Sequence, residues 1–207
     1  MAKMGRPRSF DRDEAITQAM HLFWEHGYEP TSLTQLKAGM GGGITAPSFY
    51  AAFGSKEALF NEVVAHYLAT HGKVNASLWD ESLPPREAIE RALRRSAMMQ
   101  SEPGHPAGCL MVLSAANCSP EHSHVQDLLA TSRNHTRDGI AACIERGVAL
   151  GALPASTNVR AMGAVFDGFL LGLSTLARDG LSSATLDDAV TQVMGVWDVA
   201  ACRDAAP

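Results

Sequence analysis

Apolar residues recur every three or four positions along almost the whole chain, and that regularity limits it to a helical fold. Ala15, Ile16, Ala19, Met20, Leu22 and Phe23 share one face of a first helix. Asp11 stands where an N-cap belongs, Glu14 follows three residues on as in a capping box, and Phe10 can staple the entry. His26-Gly27-Tyr28-Glu29-Pro30 stops this helix, with Gly27 suited to a left-handed cap. Thr31-Ser32 caps a short second helix carrying Leu33, Leu36 and Met40, which Gly41-Gly42-Gly43 breaks. Thr45 caps a third, with Pro47 in its first turn, where a missing N–H costs nothing. Gly54-Ser55 ends it and caps a fourth, predicted to run from Lys56 toward Trp79. After Leu83-Pro84-Pro85, helices are predicted at 86–101, 107–116, 121–151, 156–179 and 183–200, separated by glycine and proline breaks. No alternating strand pattern competes. The predicted fold is all-α, with an N-terminal three-helix helix-turn-helix domain, a helical body, and about nine helices in total.

A helix-turn-helix needs a small apolar core, and Leu22, Phe23, Leu33, Leu36, Ile44, Phe49 and Phe53 can supply it. It also needs a third helix whose start is free of bulk and charge, so that it can enter a major groove. Thr45-Ala46-Pro47-Ser48 meets that description. Contacts to phosphate come from hydroxyls, helix N-termini and cations, for which Ser32, Tyr50 and Lys56 are the candidates. The net charge of −5 at first argues against nucleic acid. Its distribution does not: residues 1–56 hold six Lys/Arg against five Asp/Glu, and the acidic excess falls in the remainder. Lys3, Arg6 and Arg8 precede the first acid, so Arg6 and Arg8 are either a DNA-contacting arm or simply a solvated terminus.

The first third of the chain resembles the DNA-binding domain of the TetR (tetracycline-repressor) family. The resemblance rests on Phe23-Trp24-Glu25-His26-Gly27-Tyr28-Glu29-Pro30-Thr31-Ser32-Leu33, then Ile44-Thr45-Ala46-Pro47-Ser48-Phe49-Tyr50, then Phe53-Gly54-Ser55-Lys56-Glu57-Ala58-Leu59-Phe60. It implies that Tyr50 and Lys56 grip phosphate, that Ser32 caps the second helix and touches the DNA backbone, and that Thr45, Ala46 and Ser48 face base edges or flanking phosphates. It also implies a body that binds a small effector, a two-fold dimer, and repression of a palindromic operator. One departure stands out: Gly41-Gly42-Gly43 makes the turn about two residues longer than the family pattern, which glycine's tolerance of positive φ can absorb. On this reading a basic arm spans 1–10, the helix-turn-helix domain 11–56, a connecting helix and linker 57–84, the effector-binding and dimerisation domain 85–201, and a flexible tail 202–207.

Within the body, Met162, Phe166, Phe169, Leu173 and Leu176 form one heptad-like stripe, and Leu186, Val190, Val193 and Trp197 a second. Such stripes either pair with a second copy as a four-helix bundle or fill the protomer's own core. An effector pocket is expected around Met98, Met99, Cys109, Leu110, Met111, Leu113 and Asn117, with Trp79, Phe166 and Phe169 as walls. Such a lining suits an apolar ligand, against the alternative of ordinary core packing. The four cysteines have no metal-ligand or redox-pair spacing, and read as reduced thiols in a cytoplasmic protein. Cys109 or Cys118 could serve as a thiol sensor, but no adjacent cation depresses the pKa of Cys109. His122 and His124, two apart, point away from each other on a helix, so no metal and no cofactor is expected. Ser114 and Ser119 lack a nucleophile-elbow context and the triple glycine lacks the Lys-Ser/Thr of a phosphate loop, so an enzyme is not expected. No membrane association is expected either, since no apolar run approaches a bilayer span.

Overall fold

The structure is a computed structural model that describes residues 10–114 and 118–202. Arg6, Arg8 and Asn117, named above as candidates, lie outside the described residues. Among the described residues there are nine α-helices and two 3-10 segments. The head is α1 (Arg12–His26), α2 (Leu33–Gly39), α3 (Ala46–Phe53) and α4 (Lys56–Ala69). The body is α5 (Pro85–Ser101), α6 (Leu110–Leu113), α7 (Ser123–Ala149), α8 (Val159–Arg178) and α9 (Ser183–Ala201).

Local chemistry starts each head helix. The Asp11 carboxylate accepts the N–H groups of Asp13 and Glu14, at 2.9 and 3.1 Å. Ser32 and Gln35 close a reciprocal capping box, and Thr45 and Ser55 cap α3 and α4. Each such cap contributes about 1 kcal/mol. Phe23, Trp24, Leu36, Phe49, Leu59 and Phe60 are buried in one core that extends through Leu110 and Met111 into α7. The head is therefore packed against the body. A second core lies among α5, α7, α8 and α9, and includes Ile89, Ile144, Phe166, Leu173, Val190 and Trp197. Gly147 on α7 leaves room for the Trp197 ring of α9, which a Cβ there would approach to 2.6 Å.

Two predicted helices come out differently. The α4 helix ends at Ala69, and His71–Trp79 is a 3-10 segment rather than a continuation. The Thr70 hydroxyl donates to the His66 carbonyl at 2.7 Å, competing with the backbone for that acceptor, and Thr70 leaves helical geometry at φ −119°, ψ −90°. The helix expected at 107–116 is α6, only Leu110–Leu113 among the described residues, and it cannot include Gly108 at φ 87°. Helix α8 also corrects the expectation about apolar runs. Its mean hydropathy of 1.3 and its length are enough for a membrane span, yet it lies in the body packed against α5, α7 and α9.

The predicted pairing stripes turn inward. Met162, Phe166, Leu173, Leu186, Val190 and Trp197 are buried inside the protomer, so their side chains are core and not available to a second copy. Phe169, Leu176 and Val193 are half-buried at the edge. The outward faces of the same two helices carry Val165, Gly168, Gly172, Val196 and Val199 instead.

Candidate nucleic-acid interface and effector cavity

The N-termini of α2 and α3 are both exposed on the head. Ser32 and Thr45 are exposed caps, and Ala46, Pro47 and Ser48 make the first turn of α3. The Thr45 hydroxyl donates to the Ser48 hydroxyl at 3.0 Å, which holds both at the open end of the helix. Tyr50 is 51% exposed, its ring packed edge-on against Phe49, and so stands outside the core with its hydroxyl free to contact a phosphate.

Lys56 is placed differently. Its ammonium donates to the Glu29 carbonyl at 3.3 Å and sits 4.4 Å from the centre of the Tyr28 ring. Burial pushes its pKa down, opposed by the nearby Glu29 carboxylate. This lysine braces the α1–α2 turn to α4.

The triple-glycine turn is fixed. Gly41, Gly42 and Gly43 all have positive φ, at 56, 71 and 99°. The Gly41 N–H donates to the Gln18 side chain at 2.6 Å, and the Ile44 N–H to the Lys37 carbonyl at 2.8 Å. A Cβ on Gly41 would lie 2.7 Å from the Cβ of Phe10, so glycine is required there for space as well as for φ.

Below the head is a cavity of about 550 Å³. Its walls come from α4, the His71–Trp79 segment, α5, α6, α7 and α8, and they include Tyr67, Val74, Trp79, Met99, Met111 and Leu170. Of the residues expected to line a pocket, Trp79, Met99, Cys109 and Met111 line this one. Met98 is on the far side of α5, 56% exposed, beside a shallow groove. Leu110 and Phe166 are core, and Leu113 and Phe169 pack outside the cavity. The sequence reading missed the polar lining: Lys73, Asn75, Gln100, Arg133, His135, Asp167 and Ser174. Asp167 was the available signal, a charge beside Phe166 in an otherwise apolar stripe. It is 5% exposed and pairs with Arg137 at 2.7 Å.

The cysteines are poorly placed as sensors. Tyr67 donates its hydroxyl to the Cys109 sulfur at 3.2 Å. Burial pushes the Cys109 thiol up, and burial with the Glu29 carboxylate pushes Cys118 up. Raised pKa values keep both as thiols, whereas the thiolate is the nucleophile.

The model of bacterial regulatory proteins, tetR family, matches residues 15–63, and that of the tetracyclin repressor-like C-terminal domain matches residues 85–197. The chain is 30% identical over 194 residues to the HTH-type transcriptional repressor ComR of Escherichia coli (strain K12), spanning 93% of this chain and 91% of that one. The chain belongs to the TetR family. As a TetR-family protein it is a DNA-binding transcriptional regulator. It is 33% identical over 117 residues to the E. coli repressor BdcR, over 56% of this chain and 58% of that one. Among solved structures, a cysteine mutant of the TetR-family regulator CifR complexed with 26 bp double-strand operator DNA matches with a TM-score of 0.86 and 38% identity. That match covers 93% of this chain and 100% of the other.

Proposed function

We propose that this TetR-family protein is a dimeric repressor, released from a palindromic operator when a small, largely apolar effector fills the cavity. The observation that carries this reading is that the elements lining the cavity also hold the DNA-binding head. Helix α6 lines it with Met111 and the preceding Cys109, and Ser114 just beyond α6 donates to the Phe23 carbonyl of α1 at 3.0 Å. Helix α8 lines it with Leu170 and Ser174, and ends in Arg178, which donates to the Trp24 and Glu25 carbonyls. A ligand that moves either element moves α1.

The outward face of α8 and α9 supports the dimer. Val165 and Gly168 on α8 and Val196 on α9 are exposed, Gly172 lies one turn beyond Gly168, and a Cβ on either glycine would meet nothing within 4 Å among the described residues. Two heads held by such a pair read half-sites about 34–36 Å apart on one side of the duplex. The decisive experiment is selection of bound DNA from a random pool, with sedimentation of the complex. A two-fold symmetric site bound by two protomers is the expected result. An asymmetric site bound by a single protomer would overturn the dimeric reading.

A further inference from the structure

The cavity wall is mostly hydrocarbon, but its charges are not balanced. Three charged side chains line it: Lys73, Arg133 and Asp167. Asp167 is neutralised by Arg137, outside the lining, at 2.7 Å. Among the described residues neither Lys73 nor Arg133 forms an ion pair. Arg133 is half-buried and anchored, with one guanidinium nitrogen donating to the Met111 carbonyl at 2.6 Å. Among the described residues its remaining N–H groups have no hydrogen-bond partner. Arg133 lines the same cavity as Cys109 and Met111. Lys73 is exposed and stands at the rim. A guanidinium in a mostly apolar wall, without a carboxylate partner among the described residues, is a ready site for an anionic ligand.

We infer that the cavity selects an organic carboxylate with an apolar body, its carboxylate held by Arg133 and its approach favoured by Lys73. This rests on the effector reading above and names the chemistry of the effector. A guanidinium anchored through one nitrogen still offers the planar pair of donors that a carboxylate accepts. A phosphate dianion would carry a larger desolvation cost into walls made by Tyr67, Val74, Trp79, Met99 and Leu170.

The test uses the full-length protein bound to its selected operator and a panel of matched probes. Each aromatic, branched or linear carboxylate is paired with its methyl ester and its primary alcohol. Release is followed by fluorescence anisotropy and binding by thermal shift. The expected result is that the carboxylates release operator and their neutral partners do not. Arg133→Gln is expected to raise the half-release concentration by about tenfold or more, the worth of a charge-assisted hydrogen bond. Because Arg133 also ties α7 to Met111, Arg133→Lys serves as the partner variant, keeping charge and recovering part of the response. Lys73→Gln, at the exposed rim, is expected to shift half-release by a factor of about two to five. Release by neutral partners as effective as by the acids overturns the anion assignment and leaves the effector reading standing. So does an acid response indifferent to Arg133→Gln. Failure of every probe to bind at millimolar concentration overturns both.

Discussion

Tyr50 and Lys56 come from the same family motif, yet the fold uses them differently. The Tyr50 hydroxyl has no partner among the described residues and its ring stands outside the core, so removing that oxygen is expected to leave the free protein unchanged. Tyr50→Phe is expected to weaken operator binding by about 1 kcal/mol, roughly fivefold, at unaltered Tm. Lys56 is half-buried over Tyr28 and bonded to Glu29, so its loss is felt before DNA arrives. Lys56→Ala is expected to lower the Tm of the free protein, with a cation–π contact worth about 0.5–1 kcal/mol at stake. Thermal denaturation beside anisotropy separates the two, and a Tm equal to that of the native protein would remove the bracing role. Glu29 supports the same turn from its other side: its carboxylate accepts the Ser119 N–H at 2.6 Å, and that bond holds its pKa below the ordinary range. Motif matching finds such residues, but which of them is already occupied within the protomer depends on Glu29, Tyr28 and Ser119 arriving from elsewhere.

Between the head and body elements lies a seam of imidazoles. His21 comes from α1, His66 from α4, His71 from the 3-10 segment and His105 from the loop after α5. Trp24 stacks on His105 at 4.5 Å between ring centres, and His71 meets His105 at 4.7 Å. Burial lowers the pKa of both His21 and His71, and the neighbouring His105 lowers each further; Glu102 opposes the shift at His71. The folded pKa values are thus below the unfolded value of about 6.5, and the unfolded chain binds more protons in that range. Stability is complete above about pH 6.5 and is lost as pH falls through it toward the depressed native values. A Tm that is flat above neutrality and falls below it is expected, and His71→Gln should shallow the fall. An unchanged profile in His71→Gln would remove the seam as its cause. This seam was not legible in the sequence, because four elements contribute one ring each. The caps were legible, since Asp11, Ser32, Thr45 and Ser55 act within three residues of themselves. The pairing stripes were misread because α8 and α9 are apolar on two sides: period locates a stripe, while neighbours decide which stripe is core. The cavity lay between these extremes, with Met99 and Cys109 visible as soft apolar residues and Arg133 hidden among ordinary surface charges of α7.

Across the whole molecule, the end of α1 is where the body grips the head, and the proposed effector response would pass through it. Its last carbonyls, the negative end of a helix dipole, are held by the body: Phe23 by Ser114, and Trp24 and Glu25 by Arg178 at 3.0 and 3.3 Å. The same guanidinium donates to the Ala107 carbonyl at 3.1 Å, joining α8, the α5–α6 loop and the head at one point. A ligand acting on α8 through Leu170 or Ser174 therefore has a short mechanical route to the head. Its leverage is the difference in its affinity for the two head positions, typically 1–3 kcal/mol of coupling. Arg178→Gln removes the charged clamp while leaving the cavity lining intact. The expected result is a smaller ratio of operator affinities without and with saturating effector. Linkage requires the ratio of effector affinities for free and operator-bound protein to shrink by the same factor, so the two titrations check each other. Ser114→Ala, which loses one neutral hydrogen bond, should shrink both ratios less. Ratios preserved in Arg178→Gln would mean that the signal reaches the head along α4, through Tyr67 and Leu68, and not through α8.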